Sequence, residues 1–220
     1  MASDHRPLVA AQRRERMRAR LVQAAFGLAA HSGLESVTID AVVAKAEVAR
    51  GTFYKYFESP QALVQVVGQA VSDALIEAMN PVVAELSDPA ERIAMGVRVV
   101  LLMGRRNPAL AGFLVRSGWP VADLTPLFYE VVGNTIEVGM RSGRFSSTPA
   151  ALAISVVAGT LMGALHAELT QPQTDEYPSQ TAAAVLRGLG LTNKTATELA
   201  RTSLVFDLRR ADQALERLMT

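Results

Sequence analysis

At five places in this chain that read as helix starts, a residue whose side chain can cap a helix stands directly before a proline: Ser59-Pro60, Asp88-Pro89, Asn107-Pro108, Thr125-Pro126 and Thr148-Pro149. Proline costs little at the first helical position, because its missing N–H would have no partner there, and the preceding side-chain oxygen accepts from an N–H one turn in. Between these start signals, apolar residues recur three and four apart, and no segment sustains a period of two. The pattern predicts an all-α chain with helices over 12–32, 38–46, 49–57, 59–79, 88–106, 107–117, 125–142, 148–171, 179–189 and 194–218. Gly33 and Gly143 stand where left-handed C-terminal caps are wanted. Residues 171–178, with Pro172 and Pro178, read as a loop.

Half of the 220 residues are hydrophobic, enough for a substantial core, which excludes an intrinsically disordered chain. Cysteine is absent, so disulfide scaffolds, thiolate metal sites and cysteine nucleophiles are excluded together. The N-terminal stretch has no apolar core of a signal peptide, and the expected location is the cytoplasm. The run Phe145–Ala167 carries no Asp, Glu, Lys or Arg and is long enough to span a bilayer, but Ser146, Ser147, Thr148, Pro149 and His166 interrupt it. Its small residues Ala151, Ser155, Gly159, Gly163 and Ala167 fall four apart on one stripe, which suits close helix pairing in a protein without a membrane partner.

Charge is distributed unevenly. Residues 1–60 balance to +3 and residues 61–220 to −2, a weak electrostatic hint of a polyanion partner. Within that basic head, Thr38 is placed to cap a short helix with Ile39, Val42, Val43 and Ala46 on its buried face. A turn of about three residues leads to a second short helix that buries Val48, Phe53 and Phe57. Two helices this short must lean on a third, and the amphipathic segment around Leu21, Ala25, Leu28 and Ala29 supplies it. The outward side of the second helix carries Arg50, Thr52, Tyr54, Lys55 and Tyr56, groups suited to base edges and phosphates in a major groove. Gly51 lets the backbone come close to a sugar–phosphate wall.

This segment resembles the DNA-binding domain of the tetracycline-repressor (TetR) family of bacterial regulators. The resemblance runs from Leu21 to Val64 and rests on Ala24-Ala25, Gly33, Thr38, Val48, the string Arg50-Gly51-Thr52-Phe53-Tyr54-Lys55-Tyr56-Phe57, and Leu63. It implies a helix-turn-helix domain over 1–64, a helical effector-binding and dimerisation domain over 65–220, and double-stranded DNA as partner. Thr38, Val48, Ala49, Arg50, Gly51, Thr52, Tyr54, Lys55 and Tyr56 would form the DNA contact. The chain departs from the family pattern at the turn, where Glu47 and Ala49 replace Gly and Ser, and at Pro60, which replaces a phosphate-contacting lysine. Glu47 is then expected to take a left-handed conformation and Ala49 to leave its helix without a side-chain cap. Arginines 13, 14, 16, 18 and 20 can restore attraction to phosphate.

The resemblance also implies a small-molecule effector and a homodimer. The stripe Ala151, Ser155, Gly159, Gly163 and Ala167 is expected to pack on its symmetry mate together with Ala182, Val185, Leu186 and Leu189. Candidate pocket residues are Met95, Arg98, Val99, Met103, Phe113, Arg116, Trp119, Phe128, Tyr129, Ile136, Met162 and His166, with Glu130 and Glu137 able to fix a cation. Leu204, Leu208, Ala211, Leu215 and Leu218 keep a 4-3-4-3 spacing that predicts a buried seam on the last helix. The two other readings are an enzyme and a small-molecule-binding protein of the same fold that has lost DNA binding. Against an enzyme, His5, His31 and His166 stand apart, and no metal spacing, phosphate loop or serine elbow occurs. No cofactor is implied. The function expected is that of a ligand-responsive transcription regulator, acting as a repressor released from a palindromic operator by an inducer.

Overall fold

The computed structural model describes residues 6–117, 126–203, 206–209 and 212–213. Its helices are α1 (Arg6–Ser32), α2 (Ile39–Lys45), α3 (Arg50–Phe53), α4 (Pro60–Val83), α5 (Pro89–Arg106), α6 (Pro108–Ser117), α7 (Pro126–Phe128), α8 (Asn134–Arg141), α9 (Ala150–Thr170), α10 (Tyr177–Gly188) and α11 (Asn193–Ala200). A π-turn over Tyr129–Gly133 joins α7 to α8, and among the described residues there is no strand.

Side-chain oxygens start these helices as their positions predict. Ser59 accepts from the N–H of Ala62, Asp88 from Ala90 and Asn107 from Leu110, at 3.1, 2.8 and 3.0 Å. Thr38 likewise caps α2 through the N–H of Ala41. The Thr148-Pro149 pair behaves differently: Pro149 itself occupies the cap position, so α9 begins at Ala150 without a side-chain cap. Gly33 and Gly143 adopt φ of 84° and 73°, as their places after α1 and α8 require.

Two corrections concern helix ends. Helix α4 continues through Pro81 to Val83 rather than stopping near 79, because a proline in the final turn forfeits a single intrahelical bond. The last helix does not run from 194 to 218: α11 ends at Ala200, and Arg201–Ser203 are non-helical. The following segment is held along α5, where Arg98 donates to the carbonyl of Thr202 at 2.6 Å and Arg106 pairs with Asp212 at 2.7 Å. Leu208 of the expected seam is half-buried against the core. Leu204, Ala211, Leu215 and Leu218 lie outside the described residues.

Two packing centres organise the chain. At the N-terminal end, Leu21, Val42, Phe53 and Leu63 are wholly buried where α1, α2, α3 and the start of α4 meet. In the body, α5 is the central helix, touched by α4, α6, α8, α9, α10 and α11. The boundary expected at 64/65 falls inside α4, which passes through it without a break. Phe26 of α1 meets Phe113 of α6 edge to face at 6.2 Å, joining the two centres a second time. Helices α4 and α9 are long and apolar enough to cross a bilayer, yet each buries one face in the protein core.

Residue Asp88 does two jobs, capping α5 and receiving Arg144 from the segment after α8 in a two-pronged ion pair with contacts of 2.6 to 3.1 Å. Burial pushes its carboxyl upward, but the Arg144 hydrogen bonds, the Ala90 N–H and the Arg144 charge outweigh that and hold it below the ordinary carboxylate value. With the folded pKa the lower, the stabilisation is present above the unfolded value of about 3.9 and is lost as pH falls through the folded value. Asp88→Asn keeps a good cap and removes the charge. Urea unfolding is expected to show wild type more stable than Asp88→Asn near neutral pH, the gap narrowing below about pH 4. A gap unchanged by acid would assign the loss to packing instead.

Candidate functional site

Helix α3 is a single turn, and nothing in four residues stabilises it alone, since the first helical turn is the costly one. Its anchor is Phe53, wholly buried, with Phe57 stacked obliquely at 5.9 Å. The predicted helix over 49–57 is shorter than expected: after Phe53 the chain closes through Lys55 N–H to Thr52 and Tyr56 N–H to Phe53. Phe53 and Phe57 turn inward, and the opposite side is solvent-facing. Arg50, Gly51, Tyr54 and Lys55 are exposed, Thr52 is half-exposed, and Tyr54 keeps 52% of its surface accessible. Val48 and Tyr56 are half-buried against the core, and Thr38 and Ala49 lie exposed at the starts of α2 and α3.

Three features of the turn follow from its residues. Glu47 takes φ 51°, the one non-glycine with positive φ among the described residues, at a cost of about 1 kcal/mol. Ala49 is the N-cap of α3 and makes no side-chain cap bond. The Glu47 carboxylate faces Arg20 at 3.1 Å, and Arg50 holds Asp40 at 2.6 Å, so both acids near the exposed face are matched by arginines. Gly51 is not a requirement of the fold: a Cβ there would meet nothing within 4 Å. Arginines 13, 14, 16, 18 and 20 ride on the exposed first half of α1 rather than on an extended arm, and Arg18 sits 5.9 Å over the Phe57 ring.

The second site is a cavity in the body, bounded by α4, α5, the α7–α8 segment and α9, with a volume of about 80 Å³ and a mouth partly open to solvent. The wall is almost wholly apolar: Leu75, Ile76 and Met79 from α4, Val97 and Val100 from α5, and Leu161 from α9 are typical. Polar groups are few. Asn80 and Arg92 stand in the lining with Thr135, whose hydroxyl donates to the carbonyl of Val131 at 2.6 Å. Arg92 is committed to the end of α4, donating to the carbonyls of Leu86 and Ala84. Gly96 faces the cavity with no atom within 4 Å of where a Cβ would stand.

Of the pocket residues expected from sequence, Phe128 lines this cavity. Met95, Val99, Met103, Phe113 and Ile136 are core residues buried outside the lining. Arg98 reaches Thr202, and Arg116 lies over Gly112 near Gly33, between the two packing centres. Met162 is half-buried outside the lining, Tyr129 is 51% exposed, and His166 is exposed on α9; Glu130 and Glu137 face solvent, Glu137 beside Arg141. Trp119 lies outside the described residues. The reason is that α5 buries both its 93-97-100 side and its 95-99-103 side, and periodicity cannot say which of two buried sides meets a void. The π-turn at Tyr129–Gly133, a feature frequent at functional sites, is the local signal that could have directed attention to Val131, Val132 and Thr135.

The stripe on α9 is outward-facing. Ala151, Ser155, Gly159 and Gly163 are exposed and Ala167 half-exposed, beside Leu152 at 54% accessible. No atom lies within 4 Å of a Cβ built at Gly159 or Gly163, so packing inside the subunit does not call for glycine at either place. Ala182, Val185, Leu186 and Leu189, expected on the same outer face, are instead buried within the subunit, because α10 turns that side onto α5 and α11.

Residues 21–67 match the family model described as "Bacterial regulatory proteins, tetR family", and residues 88–202 match "Tetracyclin repressor-like, C-terminal domain". An uncharacterized HTH-type transcriptional regulator of Mycobacterium tuberculosis is 28% identical over 113 residues, 51% of this chain. The chain spans about half the length, 56%, of the curated relatives it matches. Among solved structures, RolR in complex with resorcinol is 29% identical, with a TM-score of 0.75 over 88% of this chain and 97% of that one. RolR without ligand is 28% identical, with a TM-score of 0.73 over 85% and 97% of the two chains. A TetR family regulator from Marinobacter aquaeolei, 19% identical, shares the fold at a TM-score of 0.58 over 81% of this chain and 97% of its own.

Replacing Glu47 by glycine relieves the left-handed strain and removes an exposed ion pair of small worth. Glu47→Gly is expected to raise unfolding stability by about 0.5–1 kcal/mol in urea titrations. A loss of that size would mean that the Arg20 contact outweighs the backbone strain.

Proposed function

The chain belongs to the tetracycline-repressor family of bacterial regulators, and from that premise we propose that it is a cytoplasmic, homodimeric transcription regulator that binds double-stranded DNA and is released by a small-molecule effector. The observation that carries the reading is the set Arg50, Tyr54 and Lys55, exposed, with Thr52 half-exposed beside them, held by the burial of Phe53. A guanidinium, a hydroxyl, a phenol and an ammonium on one short face are the groups that read base edges and bind phosphates. Gly51 supports it, since a residue the fold leaves free to carry a side chain carries none where DNA would approach. The division of labour proposed is residues 1–64 for DNA and 65–220 for effector binding and pairing, and neither task calls for a cofactor.

A second copy of the chain is the proposed partner of the exposed α9 stripe. Glycine in a helix interior costs about 0.5–1 kcal/mol relative to alanine, and at Gly159 and Gly163 nothing inside the subunit offsets that. Close approach of the same helix from a two-fold related subunit does. Two recognition elements then stand to enter successive major grooves about 34 Å apart on a palindrome. The proposed effector site is the cavity bounded by α4, α5 and α9. RolR, whose structure holds resorcinol, shows that a chain of similar fold and 29% identity accommodates a small ligand.

Binding to the DNA upstream of the gene, measured by fluorescence anisotropy, is expected to weaken steeply with salt. Arg50→Ala with Tyr54→Ala should abolish sequence-selective binding while leaving helical content and oligomeric state unchanged. Wild-type affinity in that variant would refute the assignment of α3, and a wild type with no DNA affinity would leave a small-molecule-binding protein of the same fold. For the dimer, Gly163→Leu is expected to shift sedimentation from dimer to monomer. A Gly163→Leu protein that remains a dimer would remove α9 from the interface.

A further inference from the structure

Two acids stand near the exposed face of α3, and each is taken by an arginine, but the two pairs are not alike. Glu47 takes Arg20 of α1 at 3.1 Å, whereas Asp40 takes Arg50 at 2.6 Å. Arg50 is the first residue of α3 and Asp40 the second of α2, so this pair ties the two short helices together across the turn. Tyr54 follows Arg50 by four residues, and its side chain hydrogen-bonds the guanidinium. That bond first, and then the Asp40 charge, hold Arg50 above the ordinary arginine pKa. Asp40 keeps 78% of its side chain in solvent, so no demand of the core puts an acid there.

The pairing decides what Arg50 can do. A cation that only attracts phosphate works best with its charge uncompensated. Arg13, Arg14 and Arg16 of α1 and Lys55 beyond α3 are such cations, exposed and without a carboxylate partner among the described residues. A carboxylate 2.6 Å from Arg50 offsets most of its net charge. What Arg50 keeps is direction. Its guanidinium is a planar fork of five donors, and the bond from Nη1 to Asp40 fixes the plane while leaving others to use. The start of a helix lying in the major groove is also where side chains reach base edges. Guanine is the commonest base partner of such a fork, because its O6 and N7 accept side by side.

We propose that Asp40 is a positioning residue for sequence reading, aiming Arg50 at a guanine in the major groove and keeping it off the phosphates. This rests on the reading of α3 as the element that contacts DNA. A free arginine loses rotamer freedom on binding and can settle on a neighbouring phosphate instead; one already held loses less and is denied that choice. As DNA arrives and water leaves, the attraction between Asp40 and Arg50 strengthens, because its screening falls.

The test takes the full chain as wild type, Asp40→Asn and Arg50→Ala through selection of bound sequences from random duplex DNA. Anisotropy titrations on the selected duplex and on an unrelated one follow. Wild type is expected to select a G·C pair at one position of each half-site, and Arg50→Ala to lose the preference at that position. Asp40→Asn should relax the same position by about fivefold or more and leave the other positions unaltered. It should also bind unrelated DNA more tightly, with a salt dependence steeper by about one counterion. An acid placed only to favour the start of α2 changes stability and not the preference at a single base pair. Asp40→Asn with the wild-type preference, or with every position relaxed alike, overturns the proposal. So does an Arg50→Ala protein that relaxes no G·C pair. A wild type that selects no sequence at all is the separate outcome that fails the regulator reading itself.

Discussion

The burial of Phe53 is the contact on which the exposed face of α3 depends. A four-residue helix has no stability of its own, and its conformation is borrowed from the neighbours that enclose its one inward side chain. Leu21, Val42 and Leu63 of α1, α2 and α4 are wholly buried in the same core as that ring. Because Phe53 and Phe57 fix the rotation of the segment, Arg50, Tyr54 and Lys55 have no freedom to turn inward. The same constraint explains how the chain tolerates an uncapped start at Ala49 and a strained Glu47. Both costs are local, of the order of 1 kcal/mol each, and burying one aromatic side chain is worth about 1.5–3 kcal/mol.

A second consequence concerns how the two ends of the molecule share their elements. Helix α4 contributes Leu63 and Val67 to the packing near α1, and Leu75, Ile76 and Met79 to the wall of the cavity about 20 Å further along. The Phe26–Phe113 contact and the Arg116 side chain of α6 beside Gly33, at the end of α1, make a second route between α1 and α6. Helix α4 runs unbroken between the N-terminal packing centre and the body, and a change in the packing of the body is met directly by helices of that centre.

The three unoccupied places differ in kind. At Gly51, and at Gly159 and Gly163, the fold leaves room for a side chain that the sequence withholds, which points outward, to something that approaches the surface. At Ser72 and Asp73 the sequence supplies buried polar atoms for which the described interior supplies no partner, a desolvation cost that the surrounding packing has to offset. Both are mismatches between what folding requires and what the chain carries, and functional sites are where such mismatches are expected.

What the sequence alone determined is everything set by neighbours along the chain. The caps at Ser59, Asp88 and Asn107, the left-handed glycines at 33 and 143, the all-helical class, the short pair of helices and the outward residues of α3 were all legible, because backbone donors and side-chain periodicity are local matters. The TetR string from Arg50 to Phe57 was legible for the same reason. Only the tertiary structure decided which side of a doubly buried helix meets a void, so the cavity fell to Ile93, Val97 and Val100 rather than to Met95, Val99 and Met103. It also decided that Ala182, Val185, Leu186 and Leu189 face inward while Gly159, Gly163 and His166 face out, since an apolar or small stripe records that a surface is covered and not by which neighbour.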